Sequence, residues 1–265
     1  MLKRPFCNRI LCWFVGGLLM VSALTLRADD SDTDAATDVP KSDTAKDPPG
    51  LVRLSEEGGA WFDPARKLVV VDGTVCLREG QLELFACPRG TKEHESVVSV
   101  AAKPFNVHAG LLRIGAQTGN PASYDPTYVS ATGTPIDVWI LWKDKQGNKR
   151  TARAQEWIKN TRTGKQMEHP WVFAGSSFWT DEETGQRYYN ADGGDFICVS
   201  NFPTAMLDVP VESSQANAEL LFEAFTERIP ARGTHVRLLL IPRLEPKTEK
   251  TGSHAGDSKP PELEQ

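Results

Sequence analysis

The dominant spacing in this chain is two. Residues 67–72 (KLVVVD), 136–142 (IDVWILW) and 235–241 (HVRLLLI) are β-branched or aromatic runs closed off by Gly, Pro or Asp. Runs of that length with those borders read as strands. Asp72-Gly73 is a favoured hairpin pair, so residues 74–77 are expected to return along the first run. Residues 81–87 alternate Leu82, Leu84 and Ala86 against Gln81, Glu83 and Phe85. DKQGN after Trp142 is a turn into residues 149–154, and Pro242 ends the last run. Further strands are expected at 171–179, 188–189 and 195–200, with turns at 181–185 and 192–194. Helical signals are fewer. Pro104 can open a helix that puts Phe105, His108, Leu111, Leu112 and Gly115 near one face and ends at Gly119. Ser213 or Ser214 can cap a short helix over 215–221, although LLFEAF fits a strand as well. The expected fold is α+β: a strand-rich, mostly antiparallel sheet with one or two helices.

The ends of the chain differ from this middle. Residues 1–9 are basic, 10–26 (ILCWFVGGLLMVSALTL) are largely apolar, and Ala28 precedes Asp29-Asp30. That is the order of a secretory signal, removed after residue 28. The alternative is an uncleaved N-terminal helix, which would be the chain's one attachment to a membrane. Either way the remainder is expected to be exported, as a periplasmic or secreted protein. Residues 29–50 hold seven Asp, two Lys and no aromatic, and 245–265 have similar character. Such stretches bury too little apolar surface to offset chain entropy and read as a disordered acidic spacer and a disordered tail. One domain is left, over 51–244. Removing the four cations Lys3, Arg4, Arg9 and Arg27 with the signal takes the net charge from −5 to −9. That balance argues against a nucleic-acid partner.

Cys76, Cys87 and Cys198 lie beyond the signal. An oxidising compartment permits one disulfide, with Cys76–Cys87 the local choice and Cys198 open to either partner. The alternative is three small buried hydrophobes, and Cys198, between Ile197 and Val199, looks like a core position.

Three stretches are distinctive: CLREGQLELFACPRGTKEHESV (76–97), HAGLLRIGAQTG (108–119) and GGDFICVSNFPTAMLDVP (193–210). In this order behind an export signal they closely resemble the YdjY-like domain of bacterial exported proteins, over essentially 51–241. The resemblance supplies no catalytic residues. Members of that family have been described as ferredoxin-like, but an iron–sulfur cluster needs four closely spaced thiolates. With three scattered cysteines beyond the signal, this chain is expected to hold no such cluster.

The richest segment for chemistry is Thr91-Lys92-Glu93-His94-Glu95-Ser96, leaving a strand through a turn, where sites are commonly built. Lys92, Glu93, His94 and Glu95 are candidate ligand-binding residues, against a solvated polar loop. His94 and His108 are candidate ligands for a divalent metal, with Glu93, Glu95 or Asp195 completing the site. A lone His on an apolar helix face is more often a hydrogen-bonded core residue. Asp195 and Asn201, at opposite ends of FICVS, are the remaining candidates, and the glycines before Asp195 read as a turn. No His-Glu-x-x-His, Gly-x-Ser-x-Gly, phosphate loop or dinucleotide fingerprint is present. Trp157, Trp171 and Trp179 read as core rather than a sugar platform. The first functional reading is a non-catalytic extracytoplasmic binding or interaction domain, with an envelope protein as one kind of partner. The second is a metal-dependent or redox-linked protein using residues 92–96 with His108.

Overall fold

The computed structural model describes residues 47–56, 58–213 and 220–245. The expected signal, most of the acidic spacer, Ser214 with residues 215–219, and all but the first residue of the tail lie outside the described residues. Among the described residues no helix is long and apolar enough to cross a membrane. Residues 47–50, read as the end of the spacer, are part of the folded unit: the Trp61 indole donates to Asp47 at 2.8 Å, and Leu51 N–H donates to Pro48 O.

The strands in chain order are β1 Val52–Arg53, β2 Ala60–Asp63, β3 Leu68–Val75, β4 Leu84–Pro88, β5 Ser96–Val100, β6 Pro135–Lys143, β7 Lys149–Arg153, β8 Ile158–Asn160, β9 Trp171–Phe173, β10 Phe178–Thr180, β11 Arg187–Tyr189, β12 Ile197–Cys198, β13 Leu207–Asp208, β14 Phe222–Ala224 and β15 His235–Pro242. The α-helix among them is α1, Pro104–Arg113. The main sheet runs β3-β15-β6-β9-β13-β12-β4-β5, and β5 then pairs back onto β3. These eight strands form a closed barrel, with β1–β2 added beside β3 and β7 beside β6. β4–β5 and β12–β13 are parallel and the other pairings antiparallel. The expected α+β fold is therefore corrected to a mixed β-barrel. Period-two alternation describes the two faces of a strand, and an open sheet and a barrel share it. What separates them is one long-range pairing that no local pattern announces.

That pairing also corrects the expected hairpin. β3 runs straight through Asp72-Gly73, because pairing on both sides overrides the turn preference of the dipeptide. On one side Asp72 opposes Arg237 of β15; on the other Gly73 opposes Val100 of β5. A Cβ on Gly73 would stand 2.7 Å from Val98 Cγ1 and 3.1 Å from Ser99 O. Glycine here serves close strand approach rather than a turn. Arg237 clamps Asp72 across the strands with two bonds, of 2.6 and 3.1 Å.

Both faces of β3 are covered, which is why its apolar run is continuous. Val69, Val71 and Val75 join Val138, Ile140, Leu238 and Leu240 in the main core. Leu68 and Val70 face the other way, into a second cluster with Leu51, Trp61, Leu141 and Leu239. Helix α1 covers the barrel through Pro104, Val107, Gly110 and Leu111, whereas Phe105 and Leu112 are exposed. The buried stripe is thus one residue out of step with the expected face, and the helix closes at Arg113 rather than Gly119. The expected strand at 171–179 breaks into β9 and β10, and LLFEAF supplies β14.

The closing contact gives a direct test. Gly73→Ala is expected to lower unfolding free energy by about 1–3 kcal/mol in urea titrations, from overpacking against β5. Gly193→Ala, at a site with nothing within 4 Å of the added methyl, is expected to stay within about 0.5 kcal/mol.

Candidate functional site

Parallel neighbours need a crossover, commonly a dozen residues or more. Both crossovers here are shorter: residues 89–95 join β4 to β5, and residues 199–206 join β12 to β13. β12 pairs with β4, so the two crossovers meet on one part of the barrel. The first is shaped by its own side chains. Thr91 Oγ1 donates to Pro88 O at 2.6 Å, and Glu93 accepts the Gly90 N–H as it enters a 3-10 turn over Glu93–Glu95.

Lys92 links the two. Its ammonium lies 3.2 Å from Asp195 Oδ1, 3.6 Å from Glu95 Oε1 and 4.2 Å from the centroid of the Phe202 ring. Thr204 donates to the other Asp195 oxygen. Gly194 is more than the turn residue expected from sequence: a Cβ there would stand 2.9 Å from Lys92 Cδ. Burial pulls the Lys92 pKa down, but Asp195 and Glu95 more than offset this and the net shift is upward. Glu83, just before β4, is pushed up by burial and by the adjoining Glu95 carboxylate, against the pull of Lys92. The result is a half-buried cation paired with two carboxylates, Glu95 of its own loop and Asp195 ahead of β12.

Two of the candidates in this loop stand aside. Glu93 spends its carboxylate on the turn, and the His94 side chain is 77% exposed, with Glu95 3.7 Å away. His108 sits apart on α1, between the rings of Phe173 and Tyr189. Its Nδ1 is 2.8 Å from Tyr189 OH, which also lies 3.0 Å from Gly175 O. A phenol has one proton and a carbonyl only accepts, so His108 Nδ1 carries the proton in that contact. Burial lowers the His108 pKa, favouring the neutral ring. His108 is thus a hydrogen-bonded packing residue. Among the described residues no three His, Cys, Asp or Glu side chains converge as a metal site.

Asn201 forms a second, deeper network. Its Nδ2 donates to Asp208 Oδ1 and to Val209 O, both at 3.1 Å. Its Oδ1 accepts from Ser213 N–H at 2.8 Å and from Tyr128 OH at 3.3 Å. Asp208 is fully buried, and burial pushes its pKa to about 7, against the pull of the Val209 amide and the Asn201 side chain. Sequence reading passed over Asp208, although a lone acid in the apolar run AMLDVP is a usable signal. Neighbouring Tyr128 is pushed up to about 12, first by burial and then by Asp208.

Among the described residues the three cysteines, Cys76, Cys87 and Cys198, are free thiols. Cys76 and Cys87 flank β5 on opposite sides. Two strand spacings, roughly 9–10 Å, exceed the reach of a disulfide, about 7 Å between Cα atoms. Burial raises the Cys76 thiol to about 12 and Cys198 well above its ordinary value.

A separate cleft of about 1180 Å³ opens where residues 47–49 approach the β6–β7 turn and the loop before β15. Pro48, Leu141, Trp142, Pro230 and Val236 give it apolar walls, and none of the sequence candidates lines it. Rim residues Asp47, Asp72 and Asp144 are each paired with an arginine. Lys143 and Lys145 enter no ion pair among the described residues.

A family model described as the YdjY domain matches residues 61–240. The chain belongs to the YdjY domain family. The matched span runs from β2 into β15, so the YdjY domain here takes in residues from every strand of the barrel and both crossovers. No curated protein and no solved structure matches the chain.

Two outcomes follow for this part of the YdjY domain. Folded Asp208 keeps its proton to about pH 7, against 3.8 ordinarily. Its stabilising contribution is therefore complete below about pH 4 and is lost as pH rises through 7, on the order of 4 kcal/mol at most. Asp208→Asn is expected to flatten that fall in urea titrations between pH 5 and 8 and to stabilise the protein at pH 8. Lys92→Met leaves Asp195 and Glu95 without their cation and is expected to cost about 1–3 kcal/mol, after discounting for partial exposure. His94→Ala should change stability by less than about 0.5 kcal/mol in the same assay.

Proposed function

We propose that this chain is an exported, non-catalytic binding domain that takes up a small amphipathic ligand at the cleft between residues 47–49, the β6–β7 turn and the loop before β15. The carrying observation is the cleft itself: about 1180 Å³, apolar walls and a polar rim. Large, mostly apolar concavities with a few polar groups at the edge are where ligands are usually held. The rim favours a ligand with an anionic group, because its acids are paired with arginines while Lys143 and Lys145 are not. Export rests on the basic, apolar and small-residue order of residues 1–28. A metal-dependent role draws no support from the positions of His94 and His108.

The cleft is tested with 8-anilinonaphthalene-1-sulfonate, an apolar anionic dye. Saturable binding near one dye per chain is expected, weakened at least about tenfold by Ala231→Trp, which fills the cleft, with the melting temperature unchanged. Non-saturable binding, or binding indifferent to Ala231→Trp, removes the cleft from the account. Export is tested separately by mass spectrometry of the protein from host envelope fractions. An N-terminus at Asp29 supports cleavage, full-length protein in the membrane supports the anchored alternative, and full-length protein in the cytosol rejects export.

A further inference from the structure

Two short strands outside the barrel carry an aromatic surface that the cleft and the crossovers leave unused. β10 and β11 form their own two-stranded sheet, pairing Phe178 with Tyr189, Trp179 with Tyr188 and Thr180 with Arg187. Successive residues of a strand face opposite ways. Tyr189 faces the protein at 5% exposed; Phe178, on the same face at the edge, stays 44% exposed, and both rings pack edgewise on Phe105 of α1. Arg187 lies on the same side, its guanidinium 4.8 Å from the centroid of the Phe178 ring. Trp179 and Tyr188 face away. They stack on each other with centroids 4.7 Å apart and planes 18° from parallel. Trp179 is 49% exposed and Tyr188 37%. Trp157 and Trp171 meet the expectation of core tryptophans, at 1% and 0% exposed; Trp179 does not.

We propose that the outward face of this hairpin is a binding platform for a neutral saccharide chain, built on Trp179 and Tyr188. Beyond its stack on Tyr188, the indole at 179 keeps about half its area in solvent, and that exposed apolar area invites a partner. In the stack each ring covers one face of the other, and the outer face of each stays flat, electron-rich and open. The axial C–H face of a pyranose is flat, weakly polarised and surrounded by hydroxyls, which suits such a ring edged with hydrogen-bonding groups. That edge is present. Tyr188 OH donates to Gln186 Oε1 at 3.0 Å, which leaves the amide N–H₂ of Gln186 as a donor. The platform is also preorganised, which lowers the ordering cost of binding. Its tip is an Asx turn, with Asp181 accepting the Glu183 and Thr184 N–H groups, and its base is held by Asn190 and Ser177.

Charge narrows the occupant. Asp181, Glu182 and Glu183 crowd the tip beside the rings. An anionic bilayer surface would be repelled there, and so would the phosphates of a single-stranded nucleic acid, the other polymer that stacks on exposed rings. Arg187, the cation within these two strands, packs on Phe178 on the opposite face. A neutral saccharide meets neither penalty. This surface is independent of the cleft and stands whether or not the cleft takes a ligand.

The purified protein is tested by pull-down on insoluble chitin and cellulose, and by tryptophan fluorescence titration with glucose and N-acetylglucosamine hexasaccharides. Binding to at least one of these is expected, with altered tryptophan emission. Trp179→Ala should weaken it at least about tenfold, Trp179→Phe should restore part of it, and His94→Ala should leave it unchanged. The variants are accepted only if their melting temperatures match the parent; should Trp179→Ala fail this, Tyr188→Ala replaces it. Failure to bind any of the four glycans overturns the proposal, as does binding indifferent to Trp179. Sedimentation with anionic phospholipid vesicles that requires Trp179 also overturns it, assigning the rings to a membrane.

Discussion

Closure of β5 onto β3 is the contact on which the rest of the architecture depends. It turns a line of strands into a ring of eight, and it occurs where a side chain on residue 73 would crowd Val98 Cγ1 and Ser99 O. Closure removes two sheet edges that would otherwise expose unpaired N–H and C=O groups. It also encloses one face of β3 while the β1–β2 ribbon and its neighbours cover the other. The uninterrupted Leu68-Val69-Val70-Val71 run answers to two separate clusters for that reason.

The polar networks follow from the same ring. The barrel contains two parallel pairs with short links, and β12 and β13 are only two residues long. A wall that thin has few ladder hydrogen bonds, and buried side chains take over part of that role. Asn201 donates to a backbone carbonyl and accepts from a backbone amide, as a strand neighbour would, while holding the Asp208 carboxyl. One crossover is fastened to the segment entering the other by Lys92 and Asp195. These groups form a polar seam along the short strands and their links. The cleft and the aromatic hairpin, which carry the proposed recognition, are built elsewhere from mainly apolar walls and rings.

Much of this was legible in the sequence. β6, β7 and β15 stand where alternation and turn residues put them, because their signals are local. The family was legible from three motifs; Lys92 and Asp195 were each candidates, but their pairing across about a hundred positions was not legible. The barrel was not legible, since closure depends on which distant strands meet. Asp72-Gly73 misled because a dipeptide's turn preference is weaker than two flanking strand pairings. His94 and His108 suggested a metal site by residue type alone, and chain geometry sends one to solvent and the other to Tyr189. Asp208 and Trp179 were misjudged for opposite reasons: a buried acid and an exposed indole each run against residue-type habit, and tertiary context decides both.

The central claim is therefore the closed ring, and nuclear Overhauser spectra of the isotope-labelled protein test it most directly. The account predicts interstrand contacts between backbone protons of Gly73, Thr74 and Val75 and those of Val98, Ser99 and Val100, alongside the β3–β15 and β4–β5 contacts. If the latter two sets are present and the first is missing, the sheet is open and the account is wrong.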